Sequence, residues 1–118
     1  MRVRNSGCIF CKIAHKEIGA KIVFENDRVV AFEDLKPQAP VHLLIIPKVH
    51  IEKVADITAE DSDLVAELVL TAKSLALQKG VSESGYRLVL NCNKDAGQEV
   101  SHLHLHLLGG RKFSWPPG

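Results

Sequence analysis

Three histidines near the C-terminal end are the residues whose types and spacing best suit chemistry. His102, His104 and His106 alternate with leucines, and they are half of the six histidines in the chain. Alternation at period two is typical of a half-buried β-strand, on which the three rings would share one face, about 6.6–6.8 Å apart along the strand. A neutral imidazole is a nucleophile, a general base and a metal ligand, so we expect function where these rings point.

Three interpretations of this motif compete. The histidines could be only the polar face of a strand, although strict alternation argues against that. They could bind zinc by themselves, but adjacent rings diverge along a twisted strand, and three ligands normally come from more than one element. In the third interpretation His104 attacks a phosphoryl group whose oxygens its neighbours hold. The resulting phosphoramidate intermediate would divide one difficult displacement into two easier ones.

A second group of reactive residues lies near the N-terminus. Cys8 and Cys11 form a Cys-x-x-Cys pair, and Cys92 makes the number of cysteines odd. An odd number argues against a disulfide scaffold. In a reducing compartment such a pair is free, redox-active or metal-bound.

Short strands and one long helix must position these residues. The pattern predicts strands over 22–25, 28–33, 42–46 and 86–92 and in the histidine segment, residues 102–108. It also predicts a short helix over 8–15 capped by Ser6 and a polar loop over 93–99. A long helix is predicted over 59–79, with Thr58 as its N-cap and Gly80 after its end. Its apolar stripe would consist of Leu64, Val65, Leu68, Val69, Ala72, Leu75 and Ala76. Strands with one long helix and short connections predict an antiparallel α+β domain.

The gross composition excludes several classes of protein. A chain of 118 residues with 46% apolar and 25% charged residues predicts one globular domain. A net charge of +1 gives no electrostatic footprint for nucleic acid. Because no apolar run approaches the length of a membrane span or of a signal peptide, we expect a cytoplasmic protein without a membrane partner. The segment 1–7 is expected to be flexible. In the tail 109–118, Trp115 either packs on its own surface or makes a dimer contact.

The segment 102–108, His-Leu-His-Leu-His-Leu-Leu, resembles the His-φ-His-φ-His-φ-φ motif of the histidine triad (HIT) superfamily. The similarity covers nearly the whole chain and includes residues 31–42 and 44–48. Residues 85–91, Gly97-Gln98 and the ending Trp115-Pro116-Pro117-Gly118 are similar to the histidine triad nucleotide-binding (Hint) branch. Gly109-Gly110-Arg111 also fits this branch, because the diadenosine polyphosphate hydrolase branch usually has Pro-Arg after the triad.

The resemblance implies a single HIT domain over 1–118. Its α+β fold would have an antiparallel sheet of about five strands, one long helix and a short N-terminal helix. The sheet would continue across a two-fold homodimer, and the tail 109–118 would contribute to the dimer and to the active-site region. It also implies binding of purine nucleoside monophosphates, and hydrolysis of AMP-linked phosphoramidates through a covalent nucleotidyl-histidine, with no organic cofactor. The alternatives are a regulatory nucleotide-binding module with incidental hydrolysis and a dinucleoside polyphosphate hydrolase.

The same resemblance implies a role for individual residues. His104 matches the nucleophile, His102 and His106 match its phosphate-side neighbours, and His42 matches a fourth active-site histidine. Asp34 matches the carboxylate that binds the ribose hydroxyls. The residues that match phosphate contacts are Asn91, Gly97, Glu99 and Val100, and those that match the apolar slot for the base are Phe10, Ile13, Ile18, Phe32 and Leu35. Glu99 replaces a serine of many Hint proteins. Because a carboxylate facing a phosphate would repel it, this side chain is expected to point away or to contribute only its backbone.

The cysteine pair also resembles part of a known site. In other HIT-superfamily members, including the hexose-1-phosphate uridylyltransferases, a Cys-x-x-Cys pair is half of a zinc site that two histidines complete. The matching residues here are Cys8, Cys11, His50 and His102, which implies a structural, tetrahedral zinc site. If the ring of His102 binds zinc, it cannot also hold phosphate through the same nitrogen. The role of His102 would then be to fix the N-terminal helix against the segment 102–108.

Overall fold

The computed structural model describes residues 4–118, whose centre is a five-stranded antiparallel sheet. The strands, β1 to β5 in chain order, are Ile22–Glu25, Val29–Glu33, Val41–Pro47, Tyr86–Val89 and Leu105–Gly109. They lie side by side in the order β1-β2-β3-β5-β4. The helices, α1 to α3, are Ile9–Ala14, Ser62–Gln78 and Asn93–Ala96. The predicted α+β class with one long helix and a short N-terminal helix is confirmed.

The first residues of the described part form a turn. The Gly7 N–H donates to Asn5 Oδ1 at 2.9 Å, and the Cys8 N–H donates to the Asn5 carbonyl at 3.0 Å. Of the segment 1–7 predicted to be flexible, residues 1–3 lie outside the described residues, and the flexibility stays a prediction.

Both faces of the sheet are buried, because its central strands are apolar on both sides. Successive side chains of a strand point to opposite faces. Along β3, Leu43 and Ile45 belong to the core beneath α2, whereas Leu44 and Ile46 pack with the residues of α1. His42 and His106 alternate in step with Leu44, so the sheet presents both imidazoles on the α1 side.

The long helix differs from its prediction in its first residue and in the face that it buries. Residues Ala59–Asp61 form a 3₁₀ turn, in which the Asp61 carboxylate accepts the Thr58 N–H at 2.9 Å, and α2 begins only at Ser62. The predicted stripe is buried except at two positions, because Val69 is 42% exposed and Val65 is half-buried, while Thr71 is buried instead. Within residues 4–118, no helix has both the length and the apolar character needed to cross a membrane.

The histidine segment is only partly a strand, contrary to the prediction. β5 begins at Leu105, so His102 and His104 precede it. The His102 N–H donates to the carbonyl of Val100 at 2.9 Å, a bond that no extended strand makes. The alternation still sorts the side chains, since the leucines at 103, 105 and 107 enter the core beneath α2. As a result the rings of His104 and His106 lie closer than strand spacing predicts, with centroids 5.0 Å apart.

The structure shows two local features that the sequence pattern did not predict, one in the segment 93–99 and one at the end of β5. The predicted loop over 93–99 contains α3, which begins after Cys92 and ends at Gly97 in the left-handed conformation. At the end of β5, a Cβ on Gly109 would lie 2.9 Å from Val81. A Cβ on Gly110 would lie 2.9 Å from Pro40, and its φ of +90° is also unfavourable for other residues.

Candidate active site and metal-binding cluster

A cleft of about 520 Å³ lies on the α1 side of the sheet. Every residue that the sequence suggested for nucleotide contact lines it: Phe10, Ile13, Ile18, Phe32, Asp34, Leu35, Asn91, Gly97, Glu99, Val100, His104 and His106. His42 also lines the cleft. The lining residues that sequence reasoning missed are Ile9, Gly19, Ala20, Lys21, Glu33, Lys36, Gln38 and Leu44. The sequence could have indicated these residues only through their closeness in the chain to residues that the resemblance singled out.

One end of the cleft is an apolar slot. The ring of Phe10 meets that of Phe32 edge-on, with centroids 5.4 Å apart, and Ile13 is buried beside them. At the rim Leu35 is 95% exposed and Ile18 is 38% exposed. Apolar side chains exposed at the mouth of a cleft are typical of a surface that a ligand covers.

His104 is held in one tautomer by the backbone. Its Nδ1 lies 2.6 Å from the carbonyl oxygen of His102, so in the neutral ring Nδ1 carries the proton and donates it. The ring is 7% exposed and packs edge-on against Phe10 at 5.2 Å. Its Nε2 is therefore left with a free lone pair, which is the requirement for a nucleophile.

His42 and His106 form a second, linked pair. The Gln38 N–H donates to His42 Nδ1 at 3.0 Å, so the proton of the neutral His42 ring is on Nε2. His42 Nε2 lies 2.9 Å from His106 Nδ1, to which it donates, and His106 must then carry its own proton on Nε2. His106 is thus a hydrogen-bond donor in the cleft, whereas His104 is an acceptor.

Burial keeps this pair uncharged. It lowers the pKa of His106 to about 4, with further lowering by His104 and His42 and an opposing effect of Asp34. Burial also lowers the pKa of His42, although the Asp34 carboxylate works against it. Asp34 Oδ1 accepts the Lys36 N–H at 2.8 Å, and its Oδ2 lies 3.4 Å from His42 Nε2.

His102 does not line the cleft but joins the cysteine pair. Its Nδ1 lies 3.3 Å from Cys8 Sγ, 3.6 Å from Cys11 Sγ and 3.2 Å from His50 Nδ1, and His50 Nδ1 lies 3.3 Å from Cys11 Sγ. Around a tetrahedral zinc, with bonds of about 2.3 Å to sulfur and about 2.0 Å to nitrogen, neighbouring ligand atoms are about 3.3–3.8 Å apart. These residues form a cluster that could hold a metal ion.

The second ring nitrogen of His102 supports this role. His102 Nε2 lies 2.8 Å from the carbonyl oxygen of Pro47 at the end of β3. A proton on Nε2 satisfies that bond and leaves Nδ1 unprotonated toward the cysteines. A metal-binding histidine is usually oriented in this way by an acceptor for its other nitrogen.

The helix α1 connects the cluster with the cleft. Its N-cap is Cys8, whose Sγ accepts the Cys11 N–H at 3.4 Å, and not Ser6 as the sequence suggested. Phe10, between the two cysteines, contacts the rings of both His102 and His104, with centroids 6.0 and 5.2 Å away. One turn of helix thus carries two candidate metal ligands and a wall of the cleft.

A second cleft, of about 640 Å³, is lined by Asp27, Arg28, Lys48, Val49, Thr58, Glu60, Asp61 and Leu64. It contains neither histidine nor cysteine. Its two cations are already paired, since Arg28 lies 3.1 Å from Glu67 and Lys48 lies 3.0 Å from Glu25. The smaller cleft with its imidazoles is therefore the better candidate for chemistry.

The chain is similar to known proteins over most of its length. Residues 7–114 match the family model described as "Scavenger mRNA decapping enzyme C-term binding". A HIT-like protein of Synechococcus elongatus is 53% identical over 110 residues, which are 93% of this chain and 96% of that protein. The purine nucleoside phosphoramidase of Escherichia coli is 48% identical over 103 residues, or 87% of each chain. The crystal structure of a HIT family hydrolase from Legionella pneumophila superimposes with a TM-score of 0.93 at 58% identity, covering 94% of this chain and 99% of that one.

Proposed function

This chain belongs to the histidine triad (HIT) family, and on that premise we propose that it hydrolyses the P–N bond of purine nucleoside 5′-phosphoramidates. The observation that carries the proposal is the pair of opposite tautomers in one cleft. His104 offers a free Nε2, and His106 offers an Nε2–H, beside an apolar slot of the kind that holds a purine. The activity of the E. coli relative, a purine nucleoside phosphoramidase, supports the choice of substrate.

In the first step His104 Nε2 attacks the α-phosphorus. A bond from Nε2 to phosphorus forms, the P–N bond of the substrate breaks, and the amine leaves with one proton that it takes from solvent water. The carbonyl of His102 accepts the Nδ1–H of His104 and so favours the positive charge that develops on the attacking ring.

In the second step water attacks the nucleotidyl-histidine, and the bond between His104 and phosphorus breaks. The attacking water forms a P–O bond and releases one proton to the solvent, which replaces the proton that the amine took up. The reaction as a whole therefore consumes only water and needs no organic cofactor. Throughout, the Nε2–H of the neutral His106 holds a phosphoryl oxygen or the leaving nitrogen as a hydrogen-bond donor.

The remaining lining residues bind the nucleotide in this proposal. Asp34 accepts the ribose hydroxyls, and Phe10, Ile13, Ile18, Phe32 and Leu35 enclose the base. Asn91, Gly97 and the backbone of Glu99 and Val100 lie on the phosphate side. Glu99 is exposed at the rim, where its carboxylate can point away from the phosphate.

We also propose a structural zinc at Cys8, Cys11, His50 and His102, because their donor set and spacing fit a tetrahedral ion. When bound, the ion would supply a cross-link between α1, the segment after β3 and the histidine segment. Its thiol ligands would require a reducing compartment, which the cytoplasm provides.

The experiment that tests the function compares wild type with His104→Ala on an adenosine 5′-phosphoramidate and on a diadenosine polyphosphate. We expect wild type to release AMP and amine from the first substrate much faster than it cleaves the second. His104→Ala should still bind AMP but lose at least about 10³-fold in turnover. An acid-labile nucleotide adduct should be found on wild type alone.

Other outcomes would contradict the proposal. Undiminished turnover in folded His104→Ala rejects the mechanism. Faster cleavage of the diadenosine polyphosphate identifies a dinucleoside polyphosphate hydrolase. Tight binding of AMP with very slow turnover of both substrates identifies a regulatory nucleotide-binding module.

A further inference from the structure

Arg111 connects the end of β5 with the loop before β3. Its Nε donates to the carbonyl oxygen of Gln38 at 2.9 Å. Gln38 is also the residue whose N–H donates to His42 Nδ1 at 3.0 Å. The guanidinium therefore holds the same residue that sets the tautomer of His42.

The loop has few other means of keeping Gln38 in place. Pro37 and Pro40 lack an N–H and so cannot donate backbone hydrogen bonds. Among residues 4–118, the side chain of Gln38 bonds within the loop, to the Lys36 carbonyl at 3.0 Å. Close packing of Pro40 against Gly110 fixes one end of the loop, and Arg111 follows directly in the chain. Arg111 thus provides the loop with a hydrogen bond from outside it.

We propose that Arg111 is a positioning residue that keeps the Nε2–H of His106 directed into the cleft, by holding Gln38 against His42. This proposal rests on the function proposed above. If Gln38 moves away, the proton of His42 is free to occupy Nδ1. His42 Nε2 then becomes an acceptor, His106 donates from Nδ1, and His106 Nε2 faces the phosphate with a lone pair. The cleft would then lack one hydrogen-bond donor that faces the transition state. In enzymes from which such a donor has been removed, the rate falls by about 10²–10³-fold.

The chain provides a matched control in Arg87. Both arginines stack on the ring of Phe113, Arg111 at 4.2 Å and Arg87 at 5.1 Å from its centroid. Both also donate to backbone carbonyls, but Arg87 bonds that of Ser114 in the tail at 3.0 Å and makes no bond to Gln38. Loss of Arg87 therefore disturbs the tail without touching the loop.

The experiment compares wild type, Arg111→Ala, Arg111→Lys and Arg87→Ala on the adenosine phosphoramidate. For Arg111→Ala we expect kcat to fall about 10-fold with KM changed less than about twofold, because ground-state contacts to the nucleotide remain. Arg111→Lys, which keeps a donor, should recover part of kcat. Arg87→Ala should keep wild-type kcat.

A second measurement reads the tautomers directly and does not depend on activity. Imidazole ¹⁵N chemical shifts should show Nε2–H on both His42 and His106 in wild type, and a mixture of tautomers in Arg111→Ala. The groups facing His42 are Asp34 and His106, with His104 beyond them, and all are unchanged in this variant. Wild-type kcat together with wild-type ¹⁵N shifts in Arg111→Ala would overturn the proposal. If wild type itself does not cleave phosphoramidates, the proposed function fails, while the ¹⁵N shifts still test the role of Arg111.

Discussion

Backbone groups set the tautomer of three histidines in this protein. The carbonyl of His102 accepts from His104 Nδ1, the amide of Gln38 donates to His42 Nδ1, and the carbonyl of Pro47 accepts from His102 Nε2. A neutral imidazole has one proton, so each bond decides which nitrogen remains free. In this way histidines can have the different roles that we propose: His104 is the nucleophile, His106 the hydrogen-bond donor and His102 a metal ligand.

The lowered pKa of His106 predicts a dependence of stability on pH. Its pKa is about 4 in the folded chain against about 6.5 when unfolded, so between these values the unfolded chain binds more protons. The free energy of unfolding should therefore rise with pH through this range and fall as the pH drops from about 6.5 to about 4. Allowing for partial exposure of the ring, the contribution should be about 1–2 kcal/mol.

Urea unfolding of wild type and His106→Asn at several pH values measures this contribution. The metal cluster is the same in both proteins, so their difference reports on His106 together with the His42 ring that is hydrogen-bonded to it. We expect the variant to lose less stability on acidification than wild type, and His15→Asn, which removes an exposed histidine outside the cleft, to behave like wild type. Parallel curves for wild type and His106→Asn would show that His106 is not held neutral by folding.

At the scale of elements, α1 is the critical part of the site. It is only six residues long, and an isolated helix of that length is not stable in water. Its position depends on the apolar contacts of Phe10 and Ile13 and on the cluster of Cys8 and Cys11. Since Phe10 and Ile13 also line the cleft, the metal site should influence nucleotide affinity.

Removal of the proposed zinc should therefore weaken nucleotide binding. We expect untagged protein to contain about one zinc per chain, and Cys11→Ser to lose it. Loss of the ion should lower Tm by more than about 5 °C and raise KM for the nucleotide about 10-fold, with a smaller effect on kcat. The measurements are metal analysis, thermal unfolding and steady-state kinetics.

Cys92→Ser is the control for the metal site, because Cys92 lies outside the cluster, and it should keep both zinc and affinity. A zinc-free preparation that is fully folded, with free thiols at Cys8 and Cys11 and wild-type KM, would exclude the metal.

The elements differ in how well the sequence predicts them. The existence of β1, β2, β3 and α2 follows from the local sequence, although α2 begins three residues later than predicted and does not bury Val65 and Val69. The start of β5 does not follow, since the backbone at 102–103 bonds to the distant loop residue Ile51 and to Val100. The residues that the resemblance singled out for nucleotide contact all line the cleft, whereas Gln38 and Arg111 were not singled out. Gln38 contacts both His42 and Arg111 through backbone atoms, which every residue type has, and so its side-chain type gave no signal.

At the scale of the whole molecule, the cleft exists only in the folded chain. Its walls come from α1, the loop before β3, the segment after β4 and the histidine segment, which are far apart in sequence. A nucleotide that binds all of them should stabilise the complete fold.

We further propose the two-fold homodimer that the resemblance implies. Apolar side chains outside the cleft support it, since Trp115 is 83% exposed, Leu77 71% and Leu70 58%. Sedimentation equilibrium should give the mass of a dimer for wild type. Trp115→Ala should weaken association by about 30-fold, as expected for a buried tryptophan at an interface. A wild-type mass of one chain at all concentrations, or unchanged association of Trp115→Ala, would contradict the proposed interface.

The two glycines after the triad carry a different kind of information from the histidines before them. Neither Gly109 nor Gly110 lines the cleft, and both are required because Val81 and Pro40 leave no room for a side chain. The identity of these two residues therefore reports how the end of β5 packs against its neighbours, and not what the cleft binds.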